Sequence, residues 1–346
     1  MNSSKSKNKD SFLNFSLKKE LLKSINELGF NNPTPIQSKV IPHLMSSDQD
    51  LIASAQTGTG KTAAFGLPLL ELTNTKVTNV QTLILCPTRE LCIQITNDLL
   101  TYSKYLKNIN ILSVYGGVKI EKQIKSLKKG PQIVVGTPGR TNDLIRRKKL
   151  IIGNIDRLIL DEADEMLSMG FKEDLEAIIQ QTPKKKQILL FSATMTQKVV
   201  GVTKKYMKNS LEIAVARVNR AADNVEHIFY VVKPRDRYEV VKRIADMNPD
   251  IYGIVFCRTR RETKDIAIKL MNDHYNADTI HGDLSQSERD DVMRRFRNGQ
   301  LQILVATDVA ARGLDVEDLT HIINYNLPDD DEVYIHRSGR TGRAGK

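Results

Sequence analysis

The sequence lacks any apolar stretch approaching the roughly 18 to 20 residues that a membrane-spanning helix needs. Its first ten residues, MNSSKSKNKD, lack the apolar core of a secretory signal and are typical of a disordered tail. Cysteine is scarce, and Cys86, Cys92 and Cys257 show neither CxxC nor zinc-type spacing, which argues against a disulfide framework or a zinc site. We therefore expect a soluble cytoplasmic protein with reduced core cysteines.

The length of the chain, 346 residues, exceeds one ordinary core and suits two domains. Positive charge is unevenly distributed, because residues 1–225 contain 33 Lys and Arg against 20 Asp and Glu, a net charge of +13. Residues 226–346 contain 19 against 21, a net charge of −2, and 14 of those 19 cations are arginine. The excess indicates a polyanionic partner, and the arginines suit directed contacts with phosphate.

Short runs typical of β-strands alternate with helix-compatible segments from Leu51 onward, which predicts an α/β fold with a mostly parallel sheet. Two runs recur: LILCPTRE at 83–90 is similar to IVFCRTRRE at 254–262, and IVVGTPGR at 133–140 to ILVATDVAARG at 303–313. Their offsets are 171 and 170 residues, and a looser pair, LILD and IINY, is 164 residues apart. This pattern favours a tandem duplication over chance recurrence. The expected domains are residues 11–213 and 226–346, joined by a linker at 214–225.

The segment AQTGTGKT at residues 55–62 follows a strand-like run and precedes a helix-compatible one, which is the context of a phosphate-binding loop. Backbone N–H groups at a helix start can surround phosphate oxygens, and Gly58 and Gly60 leave room for them. Lys61 is expected to reach the β- and γ-phosphates of ATP, and Thr62 to hold Mg²⁺. Ala55 stands where such loops usually have glycine, and a glycine-rich turn is the alternative.

The acidic segment DEAD at residues 161–164 directly follows the apolar run RLIL. A carboxylate at the end of a buried strand beside a phosphate-binding loop is where an ATPase places its Mg²⁺ ligand. We assign this role to Asp161, and we assign to Glu162 the orientation or deprotonation of the attacking water. The alternative is an acidic helix N-terminus that the helix dipole favours.

The second copy has no glycine where a second phosphate-binding loop would fall, since that segment reads EHIFYVVKPRDR. One ATP site is therefore expected. The second copy instead carries HRSGRTGR at residues 336–343, and arginine supplied by a separate domain can stabilise charge on the γ-phosphate. A basic nucleic-acid patch is the alternative for this segment.

Together these motifs resemble those of the DEAD-box RNA helicases, from Phe12 to the last residue. The resemblance implies two tandem RecA-like domains, a requirement for ATP and Mg²⁺, and a second domain truncated after Lys346. GFNNPTPIQ, with Phe12 placed 17 residues before it, is similar to the family's Q motif, in which the aromatic ring stacks on adenine and the glutamine bonds its polar edge. The implied ATP contacts are Phe12, Pro35, Gln37, Gln56, Thr57, Gly58, Thr59, Gly60, Lys61, Thr62 and, on the ribose, Asp315.

The same resemblance implies which residues contact RNA and which couple RNA to ATP. SAT, with Ser192 and Thr194, is similar to the motif that links ATP state to strand separation. His336 would couple the DEAD segment to the second domain, whose Arg340 and Arg343 would be arginine fingers. The implied RNA contacts are Pro87, Arg89, Gly117, Thr137 and Arg140 in the first domain, and Arg258, Arg289 and Thr307 in the second.

The segment around Arg289 supports its assignment, because Ser285 and Glu288 predict a capping box that places Arg289 in the first turns of a helix. Arg258 and Ser338 stand where the family commonly has asparagine and isoleucine. We expect neither departure to abolish activity.

The expected function is RNA-stimulated ATP hydrolysis coupled to local, sequence-independent unwinding of RNA duplexes or remodelling of RNA–protein complexes. The expected partner is single-stranded or short duplex RNA, without a membrane, and the core is expected to be monomeric. Protein partners would act through the missing C-terminal region. Two alternatives stay open: an ATP-gated RNA clamp with little turnover inside a larger complex, and a DNA-directed helicase or translocase of the same superfamily.

Overall fold

The computed structural model describes residues 11–55, 58–214, 225–311, 316, 319–329 and 331–341, apart from the side chains of Glu332 and His336. The chain divides into two compact units, Met1–Ala216 and Arg217–Lys346, which are described separately. Within the described ranges, no helix is long and apolar enough to cross a membrane.

The first unit contains a seven-stranded parallel sheet. Its strands are β1 (Leu51–Ser54), β2 (Thr82–Leu85), β3 (Ile111–Val114), β4 (Ile133–Gly136), β5 (Arg157–Leu160), β6 (Gln187–Ser192) and β7 (Leu211–Ala214). The order across the sheet is β3-β4-β2-β5-β6-β1-β7. The central strands are apolar along most of their length because helices cover both faces of a parallel sheet. The strand β7 ends at Ala214, which is the first residue of the predicted linker.

Helices pack on both faces of this sheet. Because alternate residues of a strand point to opposite faces, Leu51 and Ala53 belong to one core and Ile52 to the other. A 3-10 helix at Phe12–Phe15 begins the described chain. The helices are α1 (Lys19–Glu27), α2 (Pro35–Ser46), α3 (Lys61–Leu72) and α4 (Arg89–Tyr102) on the first core, and α5 (Ile120–Leu127), α6 (Pro138–Arg146), α7 (Ala163–Ser168), α8 (Lys172–Gln180) and α9 (Gln197–Tyr206) on the second.

The second unit contains a four-stranded parallel sheet formed by β8 (Gly253–Cys257), β9 (Ala277–Ile280), β10 (Ile303–Thr307) and β11 (His321–Asn324). Its order, β11-β8-β10-β9, repeats the order β5-β2-β4-β3 of the first sheet. The segments that recur in the sequence are β2 and β8, β4 and β10, and β5 and β11. Each recurring segment therefore has the same place in its sheet, and the predicted duplication is confirmed.

The helices of the second unit are α10 (Arg237–Met247), which follows a 3-10 helix at Pro234–Asp236, α11 (Arg260–Asn272), α12 (Gln286–Arg297), α13 (Asp308–Ala311) and α14 (Asp331–Ser338). The duplication extends to a helix start. Thr88 before α4 and Thr259 before α11 have φ/ψ values of −125°/157° and −123°/153°, and each side chain accepts a bond from the N–H three residues later.

The three cysteines are free and buried, as the sequence predicts. Burial raises the pKa of the Cys257 thiol to about 12, and it also raises the pKa of Cys86. Both thiols therefore stay protonated and unreactive at neutral pH.

Candidate functional site

Three neighbouring strands of the first sheet carry the segments predicted to bind the nucleotide. The loop 55–62 follows β1, Ser192 ends β6, and Asp161 follows β5. The Ala55 N–H donates to the Ser192 carbonyl at 3.0 Å, which ties the loop to β6. Because the carboxyl ends of parallel strands lie along one edge, the sheet itself brings these residues together. We call this part of the edge the nucleotide half.

Gly60 joins the loop to the Q motif. Its φ of 87° lies in the left-handed region, and a Cβ there would lie 2.4 Å from Gln37 Nε2, so two separate reasons require glycine. Gln37 is buried, its Nε2 donates to the Gly60 carbonyl at 3.1 Å, and its Oε1 accepts from the Thr34 N–H at 2.9 Å. One N–H and one lone pair of the amide remain for an adenine edge.

Lys61 is the first residue of α3 and is only 6% exposed. Its ammonium lies 3.9 Å from Asp161 Oδ1 and has no hydrogen-bond partner among the residues that the structure describes. A buried ammonium without hydrogen bonds is costly, and phosphate oxygens would satisfy it. Burial raises the pKa of Asp161, and the nearby Lys61 charge opposes that rise. The environment of this pair fits a bound nucleotide phosphate.

Thr62 and Asp161 are the candidate ligands of Mg²⁺. In the described part of the chain, no group of three or more His, Cys, Asp or Glu side chains could hold a metal ion. Magnesium that binds with nucleotides takes one or two carboxylates and completes its shell with water and phosphate oxygens. This sparse donor set fits an ion that binds together with ATP.

The DEAD segment is bonded to the SAT segment. Both the N–H and the hydroxyl of Thr194 donate to Asp164 Oδ2 at 2.8 Å, and the Ser192 hydroxyl donates to the Thr194 carbonyl at 2.7 Å. Glu162 stands between Asp161 and α7 with a φ of 51°, a backbone conformation that is costly for a residue of this type. A movement of either segment would therefore be transmitted to the other.

Phe12 is less accessible than its predicted role requires. Its ring is 4% exposed and stacks on Phe30 at a centroid distance of 6.2 Å, so an adenine could reach little of it unless the 3-10 helix shifted. Pro35 is the exposed first residue of α2, and Gly58 and Thr59 lie in the turn before α3. Stacking of Phe12 on adenine stays a prediction.

The other half of the same edge carries the predicted RNA contacts of the first unit, and we call it the RNA half. Pro87 and Arg89 follow β2, Gly117 follows β3, and Thr137 and Arg140 follow β4. The Arg140 guanidinium donates to the Val118 carbonyl at 3.2 Å and to Gln123 Oε1 at 3.0 Å, and that of Arg89 lies 4.9 Å from the centroid of the Tyr115 ring. One sheet thus places the two sets of predicted contacts side by side.

The predicted RNA contacts of the second unit follow the matching strands. Arg258 follows β8 and is exposed, and Thr307 ends β10. Arg289 lies in the first turns of α12. The predicted capping box is confirmed, because the Ser285 N–H donates to Glu288 Oε2 at 2.7 Å and the Ser285 hydroxyl accepts from the Glu288 N–H.

Arg337 is a buried arginine that sequence reasoning missed. Its Nε and Nη2 donate to the two carboxylate oxygens of Asp308 at 2.6 and 2.7 Å, and its Nη1 donates to Asn324 Oδ1 at 2.7 Å. Asp308 directly follows Thr307, and Arg337 precedes Arg340 by three residues. The contact therefore joins the residue that follows β10 to residues 336–343, which we call the arginine segment. The sequence offered one indication of this contact, the dipeptide Thr307–Asp308 at the end of a predicted strand. That dipeptide does not identify which cation Asp308 binds.

Part of the predicted site lies outside the described residues. This holds for Gln56, Thr57, Asp315 and Arg343, and for the side chain of His336. Arg340 is described in the turn after α14, where its N–H donates to the Arg337 carbonyl at 3.2 Å. The roles of these residues stay predictions.

Two family models match the chain. The DEAD/DEAH box helicase model matches residues 34–202, and the helicase conserved C-terminal domain model matches residues 236–345. The two matches correspond to the two units and include the nucleotide half, the RNA half and the arginine segment.

Curated proteins and solved structures show the same similarity. The ATP-dependent RNA helicase CshA of Listeria monocytogenes is 48% identical over 335 residues, which cover 97% of this chain and 64% of that protein. The CshA of Geobacillus kaustophilus is 45% identical over 335 residues, which cover 97% of this chain and 71% of that protein. The structure of S. cerevisiae Dbp5 bound to RNA and ADP BeF3 is 32% identical, with a TM-score of 0.86 and coverage of 97% and 87%. The chain thus spans less than two thirds of the Listeria relative.

Proposed function

We propose that this chain, which belongs to the DEAD-box family of superfamily 2 helicases, hydrolyses ATP in response to RNA and uses the cycle to open short RNA duplexes. The observation that carries the proposal is the placement of a nucleotide half and an RNA half on one edge of one sheet. The names of the relatives, which are ATP-dependent RNA helicases, support the same function.

In the nucleotide half, the loop N–H groups and the Lys61 ammonium would surround the phosphates, and Gln37 would bond the adenine edge. Thr62 and Asp161 would hold Mg²⁺, which neutralises charge on the phosphate oxygens when it is bound. Glu162 would orient or deprotonate the attacking water. The Lys61 ammonium, which has no hydrogen-bond partner among the described residues, would gain bonds to phosphate oxygens when the nucleotide binds.

In the RNA half, the residues that would contact the sugar–phosphate backbone are Pro87, Arg89, Gly117, Thr137 and Arg140. Arg258, Arg289 and Thr307 would contribute from the second unit. Contacts with phosphate and sugar carry no sequence information, so binding would be sequence-independent.

The Asp164–Thr194 pair would couple the DEAD and SAT segments within the nucleotide half, and the SAT segment would link ATP state to strand separation. Arg340 and Arg343 of the second unit would complete the ATP site by stabilising charge on the γ-phosphate, and His336 would couple that unit to the DEAD segment. Hydrolysis would then require both units, and RNA bound to both would favour that assembly.

Four predictions from the sequence belong to this proposal: Mg²⁺ as the metal ion, a cytoplasmic location, a monomeric core, and the existence of protein partners. The alternative of an RNA clamp with little turnover is less favoured, because the relatives are named as helicases.

ATP turnover with and without single-stranded RNA, together with strand release from a short RNA duplex, tests the proposal. We expect RNA but not single-stranded DNA to raise turnover, and we expect Lys61→Ala to abolish ATP binding. Lys19→Ala is the matched control, because Lys19 is exposed on α1, away from the loop. Equal stimulation by DNA, or RNA-stimulated turnover retained in Lys61→Ala, would contradict the proposal.

A further inference from the structure

Positive charge is concentrated in one stretch of the first unit, and of its cations the proposed function uses only Arg140. Residues 118–150 contain ten Lys and Arg against two Asp and Glu, a net charge of +8, whereas the whole chain carries +11. Most of these cations belong to α5, to the end of α6 and to the residues that follow each helix.

The helix α5 is amphipathic. Ile120, Ile124 and Leu127 pack against the second core of the first unit, which fixes the helix on the sheet. Its lysines lie on the remaining surface and are exposed. The same holds for the cations at the end of α6. The exposed set comprises Lys119, Lys122, Lys125, Lys128, Lys129, Arg146, Arg147, Lys148 and Lys149, and we call it the α5–α6 basic surface.

Two observations place α5 and α6 against each other. Arg140 at the start of α6 bonds the Val118 carbonyl and Gln123 of the α5 segment. The pKa of Arg147 at the end of α6 is raised by its ion pair with Asp143 and, more weakly, by the charge of Glu121 on α5. The basic surface is therefore continuous with the RNA half, since Gly117 and Arg140 lie at its boundary.

The pairing of these cations differs from that in the second unit. There, exposed and buried arginines pair with aspartates, as in Arg258–Asp329, Arg260–Asp283, Arg295–Asp278 and Arg337–Asp308. Over the described ranges, Arg147 alone among the nine cations of the α5–α6 basic surface forms an ion pair with an acidic side chain, namely Asp143. The other eight consequently attract anions.

We propose that the α5–α6 basic surface binds the phosphate backbone of the RNA segment that extends beyond the RNA half. This inference rests on the proposed function and lengthens its RNA-binding surface. Lysine presents a hydrated point charge on a flexible stem, so the surface holds RNA electrostatically and without base preference. It anchors long RNA while the strand in the RNA half is opened.

Binding of a short and a long single strand, of about 10 and about 30 nucleotides, at several salt concentrations tests this inference. The test variants are Lys122→Gln/Lys125→Gln and Lys148→Gln/Lys149→Gln. Each lost phosphate contact lowers the magnitude of the salt slope for single strands by about 0.7, so each pair is expected to lower it by about 1.4 for the long RNA. Neither pair is expected to change binding of the short RNA.

Lys184→Gln/Lys185→Gln is the matched control, because this exposed lysine pair lies between α8 and β6, outside the α5–α6 basic surface. It is expected to leave both slopes unchanged. The inference would be overturned if the long-RNA salt slope were the same in the two test variants and the control. It would also be overturned if the slope fell equally for short and long RNA. A long-RNA salt slope that is unchanged in the test variants would indicate that the surface binds another class of partner, such as an acidic protein.

The assay needs no ATP turnover, so its outcome is separate from that of the proposed function. RNA-stimulated hydrolysis with an unchanged long-RNA slope would reject the basic surface alone. Loss of RNA stimulation in the unaltered protein would reject the proposed function, and the slopes would still report whether the surface binds RNA.

Discussion

Arg337 and Asp308 form a contact between two segments that the sequence separates by 29 positions. A guanidinium has a planar arrangement of donors that matches a carboxylate, and here both oxygens are bonded. Because Arg337 is 4% exposed, its charge depends on this partner. The contact holds the arginine segment against the end of β10. It lies one residue from Thr307 and three residues from Arg340, so it helps to position both.

We expect Arg337→Lys to destabilise the second unit by about 3 kcal/mol, because a lysine cannot bond both oxygens of Asp308 and its own buried charge is then poorly paired. Hydrogen exchange of the amides in β8 and β10 measures this loss within that unit. Arg261→Lys is the control. The Arg261 side chain is 93% exposed and lies 3.9 Å from Asp265, so the change should cost less than about 1 kcal/mol. Similar losses in both variants would show that Arg337 is not a buried anchor.

At the scale of single elements, the helix starts after the strands determine where the functional side chains lie. Thr88 and Thr259 begin α4 and α11 with nearly the same backbone angles, so Arg89 and Arg260 occupy equivalent positions after β2 and β8. A side-chain oxygen that accepts from the first turn satisfies an N–H that the helix cannot pair itself. The same physical device thus places a basic residue at the carboxyl edge of each sheet.

The capping box of α12 is the element whose loss can be measured most directly. We expect Ser285→Ala to lower the free energy of unfolding by about 1 kcal/mol, because the hydroxyl that accepts from the Glu288 N–H is removed. The first turn carries Arg289, so RNA affinity should fall as well. Urea unfolding and RNA titration measure the two effects. Ser285→Thr retains the hydroxyl and should retain both properties; an Ala variant as stable as the Thr variant would disprove the role of the cap.

At the scale of the whole molecule, the two sheets share a strand order, but different sequence motifs follow their strands. The first carries the phosphate-binding loop, and in the second the corresponding segment contains no glycine. Duplication thus preserved the scaffold, and the proposed function places its nucleotide site in the first unit. The proposed function needs the second unit for its arginines and for three of the eight RNA contacts.

We expect Arg343→Ala to retain ATP affinity and to lower RNA-stimulated turnover by a factor of about 10³ or more, the effect of losing an arginine finger. Lys61→Ala should instead lose ATP binding. Titration with a fluorescent ATP analogue and steady-state turnover separate the two phenotypes. Normal turnover in Arg343→Ala would mean that hydrolysis does not depend on this residue of the second unit.

Much of the fold could be predicted from local patterns. The apolar runs predicted β1 to β6, the recurring segments predicted the second sheet, and the spacing of Ser285 and Glu288 predicted a helix start. These features depend on residues close together in the sequence, whose geometry is set by backbone sterics and short hydrogen bonds.

Contacts between distant segments were decided only by the tertiary structure. The strand order places β6 between β5 and β1, and this order brings Ser192 to the nucleotide half. The bonds of Arg337 to Asp308 and of Thr194 to Asp164, and the burial of Phe12, have no local signature. Many partners are compatible with one charged or aromatic side chain, and only the packing of the sheets and helices selects among them.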